Sequence, residues 1–310
     1  MINSYLLACF LCVIYIHYNF YDLGLYLNLR DAKFYDLPFR DAILNFEYES
    51  LHPTYVSLWF AFGIILLLDG LKKIELNARS VLILSLRVGL IILLVATIII
   101  LSSRVGILAL FLSVMIYIYR LKNKSIKWAL VVFFIGISVI SITKISYISS
   151  RFIDEIKYTE FKPPVGLNHN STNIRIGIYK CSLKIIKENV VFGVGIGDTQ
   201  NELDYCFSDF DTNAYEIRTY NSHNYFFHSM LVTGIFGLLA LLTMILFFIM
   251  KGLEYNCYPY ICLVLIIVIG LFFENIFSRN VGIIFFTFFN TLFLEYFETK
   301  RHAYSLNSSI

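Results

Sequence analysis

TNIRIGIYKCSLKIIKENVVFGVGIGDTQNELDYCFSDFDTNAYEIRTYNSHNYFFHSML, residues 172–231, is the stretch on which the reading of this chain turns. It is polar through most of its length. The chain on either side is mostly apolar runs of about 20 residues, the length an α-helix needs to cross a hydrocarbon core of about 30 Å. That contrast sets the fold class. A chain that is 58% hydrophobic and only 15% charged, with mean hydropathy +0.71, is an all-α polytopic membrane protein. The alternating pattern that barrel strands require is absent.

Working outward, apolar runs fall at about 2–18, 53–69, 81–101, 105–119 and 128–146 before the polar segment, and at about 225–250, 258–273 and 281–297 after it. This predicts about eight transmembrane helices in one integral membrane domain, 1–310, with 147–222 as a large loop carrying amphipathic helices. Short-loop basic residues give the orientation. Lys72, Lys73 and Arg79, then Arg120, Lys122, Lys124 and Lys127, then Lys251, then Lys300 and Arg301 are each separated by an even number of runs. Basic short loops stay cytoplasmic, so both termini are expected inside and 147–222 outside. No Lys or Arg precedes the first run, so no cleavable signal peptide is expected. A net charge of +3 gathered in short loops gives no nucleic-acid surface.

The orientation sends His52, Arg104, Arg175, His223, Glu274 and Arg279 to one face, at or beside helix ends. Arg87 and Lys144 lie within runs instead, where a charge is costly unless it snorkels or lines a polar cavity. From Thr172 to Glu188, Ile174, Ile178, Cys181, Leu183 and Ile185 alternate with Lys180, Lys184 and Lys187. That is an amphipathic helix suited to a membrane interface. The lysines read as a solvated stripe; Arg175, at the helix start, is placed to address an anion. Arg104 sits in a tight hairpin and reads equally as an interfacial anchor or as a bidentate ligand for phosphate oxygens.

Gly193, Gly195 and Gly197 are spaced G-x-G-x-G with no βαβ unit around them, so a nucleotide loop is a poor reading. A helix stop followed by close backbone packing is the better one. His223 and Asn224 precede an apolar run. A histidine there is commonly a plain interfacial residue; as a catalyst it takes a proton from a hydroxyl near neutral pH. His52 has the same two readings. No zinc spacing links these histidines to Glu274, so no metal and no cofactor is expected. Cys9 and Cys12 read as lipid-facing packing. Cys181 and Cys206 share the polar segment and can pair if it lies in an oxidising compartment.

As an ordered set, five stretches resemble the O-antigen ligase and polymerase superfamily of GT-C type membrane glycosyltransferases. They are His52-Pro53-Thr54-Tyr55; Ser103-Arg104-Val105-Gly106; Arg175 to Tyr179 with Gly193 to Asp198; Ser222-His223-Asn224-Tyr225 with Thr233 to Gly237; and Glu274-Asn275 with Arg279 and Gly282. The resemblance implies a bacterial inner-membrane enzyme with its active site on the periplasmic face. Its donor would be an undecaprenyl-diphosphate-linked glycan. Its acceptor would be lipid A core for a ligase, or a second carrier-linked glycan for a polymerase, with membrane lipid around both. It implies metal-independent, inverting transfer, with His223 as the catalytic base and Arg104 and Arg175 on the diphosphate. His52, Tyr55, Asn224, Glu274 and Arg279 would support them. A flippase for the same lipid-linked glycan is the competing reading from another class.

Overall fold

The protein is described by a computed structural model covering residues 2–28, 38–46, 51–71, 78–119, 124–125, 127–132, 135–136, 157, 159–167, 169–216 and 218–307. The expected span at 128–146 falls largely outside these residues. So do Lys72, Lys73, Arg120, Lys122, Lys144 and positions 147–156 and 158 of the polar segment. The chain divides into two compact units, Met1–Tyr158 and Thr159–Ile310.

In the first unit the helices are α1 (Ile2–Asp22), α2 (Pro38–Leu44), α3 (Pro53–Leu71), α4 (Ala78–Ile100) and α5 (Arg104–Tyr119). α1, α3 and α4 are long and apolar enough to cross a membrane; α5 is a shorter apolar helix. α3 is the hub. It is apolar all round and buried along most of its length, and α1, α4 and α5 pack on it. α1 shows the opposite design, a single buried stripe of Cys9, Val13, Ile16 and Phe20, the 3–4 spacing of one helix face. Cys9 therefore faces inward, correcting the lipid-facing reading. The approach to α5 is close at Gly106, where an added Cβ would lie 2.2 Å from the Ser57 side chain. Ser103 immediately precedes α5, its hydroxyl accepting from the Gly106 N–H at 3.2 Å. A serine in that position satisfies an otherwise orphaned donor.

Arg87, costly by sequence, has a structural use. Its Nη1 donates to the Gly70 carbonyl in the last turn of α3. The last carbonyls of a helix lack intrahelical donors, and a cation there also suits the negative end of the helix dipole.

In the second unit the helices are α6 (Ser171–Glu188), α7 (Thr199–Phe207), α8 (Tyr225–Glu254), α9 (Tyr258–Phe273) and α10 (Asn280–Asn307). α8 and α10 are of membrane-crossing length and hydropathy; α9 is shorter. Asn170 caps α6, accepting from the N–H groups of Thr172 and Asn173, while Asn173 returns the bond to the Asn170 N–H. α6 buries Ile174, Ile178, Cys181 and Ile185, as its pattern predicts; Leu183 is exposed instead. A Cys181–Cys206 disulfide ties α6 to α7.

α8 differs from the uninterrupted run expected at 225–250. It breaks at Gly234, whose φ of 64° and ψ of −151° are not helical. The loop after α6 is the reason. Val194 and Gly195 donate to the carbonyls of Leu231 and Val232, at 2.7 and 3.1 Å, and Ile235 donates to Val190 at 2.9 Å. A Cβ on Gly234 would lie 2.2 Å from the Val191 carbonyl oxygen, and one on Gly193 2.4 Å from that of Leu231. The glycine turn is thus a helix stop laid directly on another helix's backbone, which only residues without a Cβ permit.

Candidate functional site

In the second unit Arg175, His223 and Glu274 meet. Each sits where a helix begins or ends. Asn170 fixes the start of α6 and so places Arg175 in its opening turns. Asn224 caps α8, its Oδ1 accepting from the Phe226 and Phe227 N–H groups at 2.9 and 3.1 Å. That leaves His223 immediately outside the helix. Glu274 follows the last residue of α9, its own N–H bonded to the Gly270 carbonyl at 2.9 Å.

Glu274 is the shared partner. Its Oε1 accepts from Arg175 Nη2 at 2.8 Å and its Oε2 from His223 Nδ1 at 3.2 Å. The carboxylate side chain is 9% exposed, while Arg175 and His223 are 28% and 24% exposed. The anion is therefore sequestered and its two partners keep access to solvent or substrate. A carboxylate this buried requires partners, since an unpaired buried charge is strongly unfavourable.

The arrangement assigns the histidine protons. An ionised carboxylate only accepts, so Nδ1 carries the hydrogen. In the neutral ring Nε2 then bears the free lone pair. Nε2 has no hydrogen-bond partner among the described residues. This is the tautomer a general base needs, held by a carboxylate as in hydrolase triads. Arg175 uses one of its five N–H donors on Glu274; a guanidinium retains others for an anion.

The surroundings hold the ring in place. His223 has φ of 44°, a left-handed conformation uncommon outside glycine. Asn221 stabilises it by accepting from the His223 N–H at 2.9 Å, an Asx-type turn. Tyr179, one turn beyond Arg175, donates to the His223 carbonyl at 3.3 Å. Burial pushes the Tyr179 phenol above its ordinary value; Arg175 opposes that shift and Glu274 adds to it. The Ser222 hydroxyl, fully buried, accepts from Asn275 Nδ2 at 3.1 Å and donates to the Asn224 carbonyl at 3.1 Å. It ties the segment before α8 to the turn after α9. Asn221, Tyr179 and Ser222 were not singled out by sequence as site residues. An asparagine two residues before a histidine at a helix entry is the signal that could have found the first.

The other expected site residues divide as follows. Arg279 lies in the second unit but is exposed and forms no ion pair among the described residues. Asn224 is spent on capping α8. His52, Tyr55 and Arg104 belong to the first unit. There His52 precedes α3 with its ring 5.1 Å from that of buried Tyr55, and half-buried Arg104 opens α5. Among the described residues no group of three or more His, Cys, Asp or Glu side chains is placed to hold a metal ion.

No curated protein matches the chain. A family model described as O-antigen ligase matches residues 89–242. The match includes Arg104, Arg175 and His223, and stops short of Glu274, which joins the last two only through the fold. With its helical membrane architecture and that matched stretch, the chain belongs to the O-antigen ligase and polymerase superfamily, with glycosyltransferase-like activity in the broad sense.

Proposed function

We propose that this protein transfers a glycan from undecaprenyl diphosphate to an acceptor hydroxyl at the periplasmic face of the bacterial inner membrane, as an O-antigen ligase using lipid A core. The observation that carries the proposal is the single buried carboxylate of Glu274 holding both Arg175 and His223. Nε2 of His223 takes the proton from the acceptor hydroxyl. The hydroxyl oxygen attacks the anomeric carbon, the bond from that carbon to the diphosphate oxygen breaks, and direct displacement inverts the centre. Arg175 receives the leaving diphosphate.

The charge balance favours this step. With neutral histidine, Arg175 and Glu274 cancel. Once His223 is protonated the group carries one net positive charge, at the moment negative charge grows on the leaving group. Stabilisation that appears only in the transition state accelerates the reaction, and here the group supplies it without a metal. The Cys181–Cys206 disulfide supports an oxidising compartment for this loop. Arg104 is assigned the second diphosphate contact on family resemblance.

Glu274→Gln tests the core of the proposal, because an amide cannot accept on both sides. In a strain lacking the native gene, this variant and Arg104→Ala are expected to lose surface polysaccharide while the protein remains in the membrane. Wild-type polysaccharide would overturn the assigned roles. Glycan length in the deletion strain separates the acceptors. Core without repeats, together with free carrier-linked polymer, indicates a ligase. Core bearing one repeat indicates a polymerase. Arg87 counts against a flippase, since the charge inside a span caps a helix end. Carrier-linked glycan held on the cytoplasmic face would restore that reading.

A further inference from the structure

We propose that the loop Val190–Ile196 is a lipid-embedded wedge, seated among acyl chains alongside α8, which holds α6 and its Arg175 at a fixed height on the bilayer. Three observations point to it. The first is composition against exposure. Phe192 is 76% exposed and Ile196 80%, with Val190 and Val191 about half exposed, although this loop belongs to the polar part of the chain.

The second is continuity with a lipid-facing surface. On α8 the exposed residues Phe236, Leu239, Thr243, Leu246 and Met250 recur at three- and four-residue steps, one stripe down one side of a helix long and apolar enough to cross a membrane. The Phe192 ring stands against the Phe236 ring, centroids 5.9 Å apart, and extends that stripe sideways onto the loop. Depth follows from helix rise. Lys251 is the first charge beyond the stripe. Counting back from Met250 at about 1.5 Å per residue, a core of about 30 Å ends near Met230. Phe236 and Phe192 then lie roughly 9 Å, or six residues, inside the far boundary.

The third is hydrogen bonding. A helix broken at that depth frees backbone groups that lipid cannot satisfy, so non-helical backbone survives there only where protein covers it. The loop supplies the cover: Val194 and Gly195 serve the carbonyls of Leu231 and Val232, and the Val190 carbonyl serves Ile235. The side chains of Val190, Val191, Phe192 and Ile196 are exposed, with Phe192 against the stripe, while Val194 packs on the core of the unit. Backbone turned toward the broken helix and apolar side chains turned outward is the arrangement a membrane solvent selects. Because the loop follows α6 directly, its depth sets the height of Arg175, and with it that of the proposed diphosphate contact.

The test is depth measurement with a single tryptophan. The chain has two, Trp59 and Trp128; both are replaced by phenylalanine, and Phe192→Trp or Tyr205→Trp is introduced. Tyr205, 74% exposed on α7, lies outside the stripe. In nanodiscs, position 192 is expected to emit to the blue and to be quenched by lipids brominated on the acyl chain. Position 205 is expected to respond to aqueous iodide. Iodide quenching at 192, or equal lipid quenching at both positions, overturns the proposal. A second arm does not depend on spectroscopy. Phe192→Asp is expected to lose most transfer activity and Phe192→Leu to keep it; equal activity in both also overturns it.

Discussion

The two units use the same residue types to opposite ends. In the first, His17 has both ring nitrogens engaged: Thr97 Oγ1 lies 2.9 Å from Nε2, and the Tyr26 hydroxyl bonds Nδ1. The Thr97 hydroxyl itself donates to the Leu93 carbonyl at 2.8 Å, so it accepts from Nε2–H, and Tyr26 donates to Nδ1. In the second, His223 has one nitrogen on Glu274 and the other open. The arginines repeat the contrast. Arg87 is spent on a backbone carbonyl, Arg175 on a side chain that is itself shared. Polar groups whose bonds are all closed within the fold hold helices together; polar groups linked to one another with valences to spare are equipped for chemistry.

The sharpest way to break this contrast is to remove each histidine. His223→Ala is expected to lower transfer by purified protein about 10²- to 10⁴-fold, the usual worth of a general base. His17→Gln should leave transfer per folded molecule unchanged and cost about 1–3 kcal/mol in thermal unfolding, the penalty of disturbing a buried hydrogen-bond network. A folded but inactive His17 variant would erase the distinction. Arg175→Lys keeps the charge and loses the planar fork. It is expected to weaken donor use on the order of tenfold to a hundredfold, the worth of a hydrogen bond to a charged group. The loss should appear mainly as a raised KM for the lipid-linked donor.

Two glycines sharpen the comparison of backbones. Gly234→Ala adds a Cβ against Val191 at positive φ and should destabilise the second unit by about 1–3 kcal/mol. Gly89→Ala, on α4 with nothing within 4 Å of the added atom, should be neutral or stabilising by up to about 1 kcal/mol. Unfolding in detergent measures both. The smallest effect is expected of Tyr179→Phe. It removes one bond to the His223 carbonyl and should reduce transfer by only a few-fold, or about 0.5–1.5 kcal/mol.

Reading the helices from sequence succeeded where the signal is hydropathy over a window. The expected run at 258–273 coincides with α9, Tyr258–Phe273, and that at 105–119 with α5 to within one residue. It failed at Gly234. A glycine inside an apolar run gives no local sign that a loop forty residues earlier in the chain will dock against it. The pairing of Cys181 with Cys206 was open for a related reason, since spacing does not decide whether two helices bring their thiols together.

The membrane class, the order of the helices and the residue types on offer for chemistry were legible in the sequence alone. Composition and residue type are local properties, and solvent preference acts on them without reference to the fold. Only the tertiary structure decided that Glu274 is the residue on which Arg175 and His223 converge, 99 and 51 positions away in the chain. It also decided that Arg87 and His17 are structural and that α8 is broken. Each of these depends on which hydrogen-bond valences remain open after packing, and that is a property of neighbours in space.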